Sequence, residues 1–340
     1  MAVDNRWYFL DNVKFILIIL VVFGHMYTPY IGLSPITSSL YLFIYVFHMP
    51  LFVLISGFFS KNFAHSSRFR IEKVIFYLVL YILMKYMNYI WEAYVFRHEG
   101  ASINLFYTTS AAWYLFAMAF WMTLLYLLRD IKPRVVLIVS IIIALLAGFY
   151  DAIDSTFVAS RILVFFPFFY LGYMLRRNHI EGLLKRRWLR LLSIVVLFCM
   201  LIGSFFAYTT FWDYHSILMA RLPYQHLPQP QLGAALRLLW YVIASLCSLA
   251  VLSFIPRNKT RFSVFGGRTL QVFFFHVLIA YPIRWTGIYE GLMHRFPHTW
   301  AFLYGGFTLL IVLMLSMKPL QQPFLALQKG IDCWVTCLHQ

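Results

Sequence analysis

Residues 11–25 read DNVKFILIILVVFGH and decide the fold class of the chain. No polar residue interrupts the run from Phe15 to Phe23, and the apolar stretch as a whole extends over residues 13–30. It is too uninterrupted for a signal peptide with a small-residue cleavage site, and residues 1–11 are too polar for one. Since a membrane helix needs about 20 mostly apolar residues, the stretch predicts a retained first transmembrane span.

The rest of the chain repeats this pattern. Of its 340 residues, 62% are apolar and 12% are charged, whereas soluble domains have roughly 45–50% and about 25%. This composition excludes a water-soluble globule, a disordered chain, a collagen-like chain and a coiled coil. Ten apolar segments follow one another along the sequence, at residues 13–30, 40–59, 72–91, 108–128, 135–150, 161–175, 190–207, 233–255, 269–285 and 299–317.

These segments are too long and too evenly apolar for the strands of a membrane barrel, so helices are the structure that satisfies their backbone in a bilayer. We therefore predict an all-α, polytopic integral membrane protein with about ten transmembrane helices. Such spans leave about 140 residues for connections and ends. We expect a single transmembrane domain over residues 1–340, with no appended soluble domain.

The charge of the chain points to the membrane surface. Lys and Arg number 28 against 12 Asp and Glu, a formal net charge of +16, and the expected partner of this excess is the lipid bilayer, not a nucleic acid. Basic residues concentrate in alternate loops, for example at 176–190, while the loop at 208–232 has few. The positive-inside rule then predicts both termini in the cytoplasm and a multi-pass protein of the cell membrane. The four cysteines imply neither a disulfide framework nor a metal site.

Three ionisable residues share one stripe of the first span. At about 100° per residue, Lys14 and His25 differ by roughly 20° around the helix, and Asp11 lies about 40° from His25. Because charged groups inside a membrane normally face a bundle interior or a wet cavity, the stripe suggests a conduit along the helix, about 16 Å from Lys14 to His25. The alternative is that Lys14 extends to lipid headgroups and His25 is a hydrogen-bonded packing residue.

The second and third spans add polar groups at a similar depth. His48 precedes Pro50, and it either lines a pocket with His25 or caps a carbonyl that the proline frees. On the third span Lys85, Asn88 and Glu92 lie on one helix face. They form either a hydrophilic acceptor pocket or an ion-paired structural face.

Other candidates are weaker when taken singly. Arg68, Arg70 and Lys73 precede the third span, where they set topology or bind phosphates. The remaining candidates, each with a packing or interfacial alternative, are Trp113, Arg161, Arg268 and His276. Nucleophile, zinc-protease and nucleotide-loop motifs are missing from the sequence. A buried histidine without a covalent partner fits general-base work on a hydroxyl, because imidazole titrates near neutral pH.

Several motifs together resemble one family. They are residues 6–14 (RWYFLDNVK), the VVFGH that ends the first span at residues 21–25, FHMPLF at 47–52 and SGF at 56–58. This combination resembles the type 3 membrane acyltransferase family, and the fit is best to its fucose and exopolysaccharide O-acetylase-like branch. WYL at 113–115, the stretch from Phe166-Pro167 to Gly172, and the stretch from Gly267-Arg268 to His276 are similar to later motifs of the family. The likeness spans nearly the whole chain.

The resemblance implies an O-acetyltransferase that moves an acetyl group from acetyl-CoA to a sugar hydroxyl of a surface polysaccharide or glycolipid. His25 matches the family's essential histidine and would act as general base. Lys14 stands where many members have Arg, and Arg70-Ile71-Glu72-Lys73 stands for their Arg-x-x-Arg. In both places Lys keeps the charge but loses the bidentate fork of Arg.

The implied site divides into two sets of residues. Donor binding is expected of Lys14, Arg68, Arg70, Lys73 and Arg268. The acceptor or its cavity is expected at Asp11, His48, Lys85, Asn88, Glu92, Trp113, Arg161 and His276. Acetyl-CoA is a substrate in this interpretation, and no bound cofactor is expected. Many relatives append an extracytoplasmic hydrolase-like domain that passes the acetyl group on. Since we expect no such domain here, we expect direct transfer to the acceptor. Association with polysaccharide-synthesis machinery is the partnership that the resemblance suggests.

Two other functions are compatible with the same residues. A transporter exporting a glycan or a small acid would use His25 in a proton relay. The sequence shows no evident internal repeat, and its ionisable groups cluster in the first three spans, which disfavours that function. A scaffold for a polysaccharide synthase would leave His25→Ala without effect.

Overall fold

The computed structural model describes residues 6–28, 31–32, 34–97, 99–108, 110–283 and 286–338. The ends of the predicted first and ninth spans, at residues 29–30 and 284–285, lie outside them. The α-helices are α1 (Tyr8–Tyr27), α2 (Pro35–Phe59), α3 (Lys61–Ala64), α4 (Ile71–Ile90), α5 (Trp113–Leu127), α6 (Pro133–Ala147), α7 (Ala159–Met174), α8 (Arg177–Leu184), α9 (Arg187–Ala207), α10 (His215–Met219), α11 (Gly233–Phe254), α12 (Ser263–Gly266), α13 (Thr269–Phe275), α14 (Val277–Ile283), α15 (Ile288–Arg295), α16 (Trp300–Leu315) and α17 (Gln322–Leu338).

The predicted all-α fold is confirmed. A π-helical turn, Trp91–Val95, extends α4, and short 3₁₀ turns occur at Thr210–Tyr214, Tyr224–His226, Pro230–Leu232 and Lys318–Gln321. The described part of the chain contains no β-strand, and the bridge between Tyr107 and Thr156 is isolated.

In the described residues each of the ten predicted apolar segments contains helix, but the helices differ in length. Among the described residues five helices are long and apolar enough to cross a membrane: Tyr8–Tyr27, Pro35–Phe59, Ile71–Val95, Arg187–Ala207 and Pro230–Phe254. A sixth span exists if Trp300–Leu315 and Lys318–Cys337, bent by 62°, count as one. The other four are shorter: Trp113–Leu127, Pro133–Ala147, Ala159–Met174 and Thr269–Ile283. Fifteen helical residues cover about 22 Å, less than the roughly 30 Å of bilayer hydrocarbon.

Helix α2 lies at the centre of the bundle and packs against α1, α7, α9 and α11. Its contact with α7 is backbone to backbone. A Cβ on Gly57 of α2 would lie 1.8 Å from the carbonyl oxygen of Phe169, and a Cβ on Gly172 of α7 would lie 1.8 Å from that of Leu54. The two glycines therefore permit an approach that no other residue allows.

The start of α1 is fixed by a buried side-chain amide. The Asn12 amide nitrogen donates to the carbonyls of Pro256 and Asn258, at 2.8 and 3.0 Å, and its oxygen accepts from the Thr260 and Ser263 hydroxyls, at 2.9 and 2.7 Å. These bonds hold α1 against the segment that leads into α12 and α13. They place His276, which follows α13, at the depth of His25.

Candidate active site

Two cavities lie at opposite ends of α1 and share no lining residue. The first, which we call the basic cavity, has a volume of about 360 Å³ and contains Lys14, Arg70 and Lys73 in its wall. The second, the histidine cavity, has a volume of about 340 Å³ and contains His25 and His48. The stripe predicted on α1 therefore has Lys14 in the basic cavity at one end and His25 in the histidine cavity at the other.

Lys14 enters the basic cavity already paired. Its ammonium lies 3.1 Å from Asp11 Oδ1 and 4.4 Å from the centroid of the Phe59 ring. Asp11 is buried and also accepts from Arg6 Nε at 2.7 Å. Asp11 thus orients Lys14 at the basic end of α1 and does not line the histidine cavity.

The three basic residues at the start of α4 and just before it have different surroundings. Arg70 Nε donates to Glu72 at 3.1 Å, and Arg68, 62% exposed, lies 3.9 Å from the same carboxylate oxygen. Arg70 and Lys73 line the basic cavity, whereas Arg68 does not. Arg268 is also absent from its wall, because it donates to the carbonyl of Ser316 at 3.0 Å beyond the end of α16.

Three aromatic rings in the wall of the basic cavity contact one another, and we call them the aromatic septum: Phe52, Tyr114 and Phe273. Tyr114 lies 5.3 Å from Phe52 and 5.1 Å from Phe273, centroid to centroid. All three line the basic cavity. Their neighbours Met49 and Trp113 line the histidine cavity. The two cavities share no lining residue, so this structure has two separate spaces along α1 in place of the expected single conduit.

In the histidine cavity the imidazole of His25 has aromatic neighbours. Its ring centroid lies 5.1 Å from that of His276 and 5.9 Å from that of Tyr281. His276 is fully buried, and its Nδ1 lies 2.8 Å from the carbonyl oxygen of Phe273. Since a carbonyl only accepts, Nδ1 carries the hydrogen, and Nε2 is buried without a hydrogen-bond partner in the described part of the chain.

His48 lines the same cavity but does not cap the carbonyl that Pro50 frees. That carbonyl belongs to Val46, and it accepts from the indole of Trp240 at 3.0 Å. His48 Nδ1 lies 2.9 Å from the carbonyl oxygen of Ile44 instead. The two histidines thus line one cavity, as expected from the sequence. The carbonyl that His48 contacts is that of Ile44 and not the one that Pro50 frees.

The polar face of the third span divides in two. Tyr81 and Lys85 donate to the carbonyls of Leu105 and Tyr107, at 2.6 and 3.1 Å, and so hold the loop before α5. Glu92 lines the histidine cavity, whereas Lys85 and Asn88 do not. The π-helical turn at Trp91–Val95 changes the angular phase of α4 just where Glu92 occurs.

Arg161 and Trp113 meet in the wall of the histidine cavity. The guanidinium carbon lies 5.0 Å from the Trp113 ring centroid, and Nε donates to the carbonyl of Met219 at 3.2 Å. Arg161 is 6% exposed, and its Nη1 is buried without a hydrogen-bond partner in the described residues. The loop at 208–232 thereby contributes to this cavity.

The comparisons with known proteins bear on this geometry. A family model described as an acyltransferase domain, Acyl_transf_3, matches residues 7–317. The chain belongs to the type 3 acyltransferase family. Searches of curated proteins and of solved structures found no match.

A membrane acyltransferase needs places for a donor and an acceptor, and two cavities in one bundle meet that need. In this acyltransferase the basic cavity offers cations, the usual partners of phosphates. The histidine cavity offers an imidazole among aromatic rings and hydroxyls. An imidazole such as that of His25 is a kind of group that can remove a proton from a hydroxyl.

Sequence reasoning missed four titratable residues that line the histidine cavity of the acyltransferase: Tyr41, Tyr45, Arg221 and Tyr281. Spacing offered a signal for two of them. Residues 41, 45 and 48 lie on one face of α2, where the rings of Tyr41 and Tyr45 stack at 3.8 Å and Tyr45 contacts His48 at 4.6 Å. No local pattern marks the other two.

Proposed function

We propose that this membrane acyltransferase transfers an acetyl group from acetyl-CoA to a sugar hydroxyl of a cell-surface polysaccharide or glycolipid precursor. It does so in the cell membrane, with both termini in the cytoplasm and the basic cavity facing that side. The observation that carries the proposal is the pair of cavities at the two ends of α1, cationic around Lys14 and histidine-lined around His25.

The basic cavity supports a CoA donor. Lys14, Arg70 and Lys73 provide ammonium and guanidinium groups for its phosphates, and the apolar wall, which includes Phe59, fits the pantetheine arm. Burying the nucleotide's charges in the membrane is prohibitive, so the adenosine end stays at the basic loops. The arm then spans about 16 Å along α1, and the aromatic septum opens to let the thioester reach His25.

The histidine cavity supports a sugar acceptor. Tyrosine and tryptophan rings present an apolar face and a polar edge, and sugars do the same with their CH and OH groups. His25 removes the proton of the attacking hydroxyl as its oxygen bonds to the thioester carbon. The C–S bond then breaks, and the proton passes to the CoA sulfur. General-base catalysis of this kind contributes about 10²–10⁴ in rate.

Oriented membrane vesicles test the proposal. A membrane-impermeant sugar acceptor and acetyl-CoA are supplied separately on each side, and acetylated sugar is measured by mass spectrometry. Transfer should require acetyl-CoA on the cytoplasmic side and the acceptor on the other. Transfer from two substrates on the cytoplasmic side alone would refute the route through the septum, and a transporter would acetylate nothing under any arrangement.

A further inference from the structure

The wall of the histidine cavity contains more positive charge than its own acidic residue can neutralise. Arg161 and Arg221 both line it, and Glu92 is the acidic residue among the described residues that do so. In the described part of the chain no carboxylate forms an ion pair with either arginine. An uncompensated guanidinium in a buried site is unfavourable unless a ligand supplies the opposite charge.

Arg161 is the stronger of the two observations. It is 94% removed from solvent, since its exposed fraction is 6%, and its Nη1 has no hydrogen-bond partner among the described residues. Its contacts are a carbonyl, that of Met219, and the face of Trp113. Both leave the positive charge unneutralised. The carbonyl and the ring fix the guanidinium in place, which prepares it to bind an anion.

A second buried arginine shows what a structural role looks like in this fold. Arg237 is fully buried, donates from Nη1 to the carbonyl of Ala144 at 2.8 Å, and lies over the Tyr224 ring at 4.4 Å, while its Nε and Nη2 have no hydrogen-bond partner among the described residues. It joins α11 to α6 and lines neither cavity. Arg161 differs because it borders a space of about 340 Å³ that a ligand can enter.

A residue in the left-handed backbone region precedes each of the two arginines. Val158, with φ of 58°, precedes α7 and Arg161, and Ala220, with φ of 49°, ends α10 directly before Arg221. For residues with a Cβ this conformation is unfavourable. Ala220 also separates Arg221 from Met219, whose carbonyl holds Arg161. The chain thus leaves regular geometry directly before Arg221 and three residues before Arg161.

We infer that the histidine cavity accepts an anionic glycan, in which a carboxylate or a phosphate on the sugar binds Arg161 and Arg221 while a hydroxyl is presented to His25. The planar guanidinium matches either anion through two parallel hydrogen bonds. The inference rests on the proposed function, which it deepens by naming the class of acceptor. A neutral sugar would leave both guanidinium groups unneutralised.

The test compares three acceptors of one size: methyl glucuronide, glucose 1-phosphate and methyl glucoside. Their binding to the purified protein in neutral-lipid nanodiscs is measured by calorimetry, without donor, and acetyl transfer from acetyl-CoA is measured separately. At least one anionic sugar should bind about tenfold or more tightly than methyl glucoside, since hydrogen bonds to charged groups contribute about 1.5–3 kcal/mol. Equal binding of all three sugars would overturn the inference.

Variants assign the effect to the arginines. Arg161→Gln and, separately, the half-buried Arg221→Gln should abolish most of the preference for the anion, and the exposed Arg295→Gln should leave it intact. Retained acetyl-CoA binding at the basic cavity shows that a variant is folded. If Arg161→Gln instead slowed transfer to neutral and anionic sugars equally, the arginine would act on the reacting carbonyl, and the inference would fail.

The two anionic sugars also distinguish a carboxylate from a phosphate as the group that binds the arginines. A preference confined to methyl glucuronide identifies a sugar acid, and one confined to glucose 1-phosphate identifies a phosphorylated glycan; both support the inference. Failure of the proposed function has a different signature, namely normal discrimination in binding together with no acetyl transfer to any of the three sugars.

Discussion

The imidazoles of His25 and His276 lie 5.1 Å apart, centroid to centroid, although 250 residues separate them in the chain. His276 holds its Nδ1 hydrogen on the Phe273 carbonyl, and its Nε2 has no hydrogen-bond partner in the described residues. A fully buried ring fixed in this way offers one acceptor atom beside the cavity. The two histidines therefore differ in role, since His25 lines the cavity and His276 supports it from behind.

If His25 is the base, His25→Ala should reduce acetyl transfer by about 10²–10⁴ while the amount of protein in the membrane stays the same. His25→Gln should fail as well, because an amide forms hydrogen bonds but does not accept the proton at neutral pH. Initial rates with purified variants measure the effect. His179→Gln, an exposed histidine on α8, is the matched control, and appreciable activity in either His25 variant would exclude the assignment.

The basic cavity predicts where CoA binds. The double variant Arg70→Ala and Lys73→Ala should weaken acetyl-CoA binding by on the order of tenfold, because each loses a charged partner of a phosphate. Isothermal calorimetry on detergent-solubilised protein measures it. Lys132→Ala removes an exposed cation outside the cavity and should change nothing. Comparable weakening in that control would mean that net charge, not the cavity, attracts the donor.

The backbone contact of α2 with α7 predicts a strong effect on stability. Gly57→Ala or Gly172→Ala would force the helices apart, because the new methyl group would lie 1.8 Å from a backbone oxygen that has no room to move. We expect a loss of about 3 kcal/mol or more. Thermal unfolding in detergent measures it, with Gly203→Ala, where no atom lies within 4 Å, as the control. Wild-type stability of the Gly57 variant would contradict the close approach.

Gly24, next to His25, should matter for activity. Its Cβ would lie 2.7 Å from the Tyr45 ring, which is stacked on Tyr41, so Gly24→Ala must push Tyr45 into the histidine cavity. Acetyl transfer should fall, with a smaller loss of thermal stability than in Gly57→Ala. Adding Tyr45→Ala should restore part of the activity, because neighbouring substitutions are not additive. An unchanged rate in Gly24→Ala would show that the ring moves elsewhere.

The charge asymmetry predicts the topology. In a variant whose exposed cysteines, Cys199, Cys333 and Cys337, are replaced by Ser, a new cysteine at Gln229 should react with an impermeant maleimide in intact cells. One at Arg187 should react only after permeabilisation. Gel shifts of the labelled protein measure this, and the opposite pattern would reverse the assigned orientation.

Much of the site follows from local spacing. The eleven-residue interval between Lys14 and His25 places them on one face of α1, and Arg70 and Lys73 reach the same cavity because they share the first turn of α4 and its approach. The length of the apolar runs also located the ten apolar segments, since composition and length decide such helices. It overstated their uniformity, because short helices such as α5 pack inside the bundle, where a full span is not required.

What the sequence did not predict depends on contacts between distant segments. The meeting of His276 with His25 requires the Asn12 bonds that fix α1 near α12, and the entry of Arg221 requires the path of a long loop. Arg268 was expected to bind the donor because it is positively charged. Its hydrogen bond to the Ser316 carbonyl turns the side chain toward α16 instead. The π-helical turn separated Glu92 from Lys85 because it changes a helical register that spacing assumes to be regular.

The aromatic septum has a consequence for the cell that contains this enzyme. If cavities at both ends of one helix joined permanently into a water-filled path, ions would flow through it and dissipate the membrane potential. Phe52, Tyr114 and Phe273 pack against one another in the wall of the basic cavity, and the Tyr114 hydroxyl forms a 2.6 Å hydrogen bond with the Ser56 hydroxyl. Because the two cavities do not join, the bundle insulates the two sides of the membrane between turnovers, and the septum would open only during the proposed transfer.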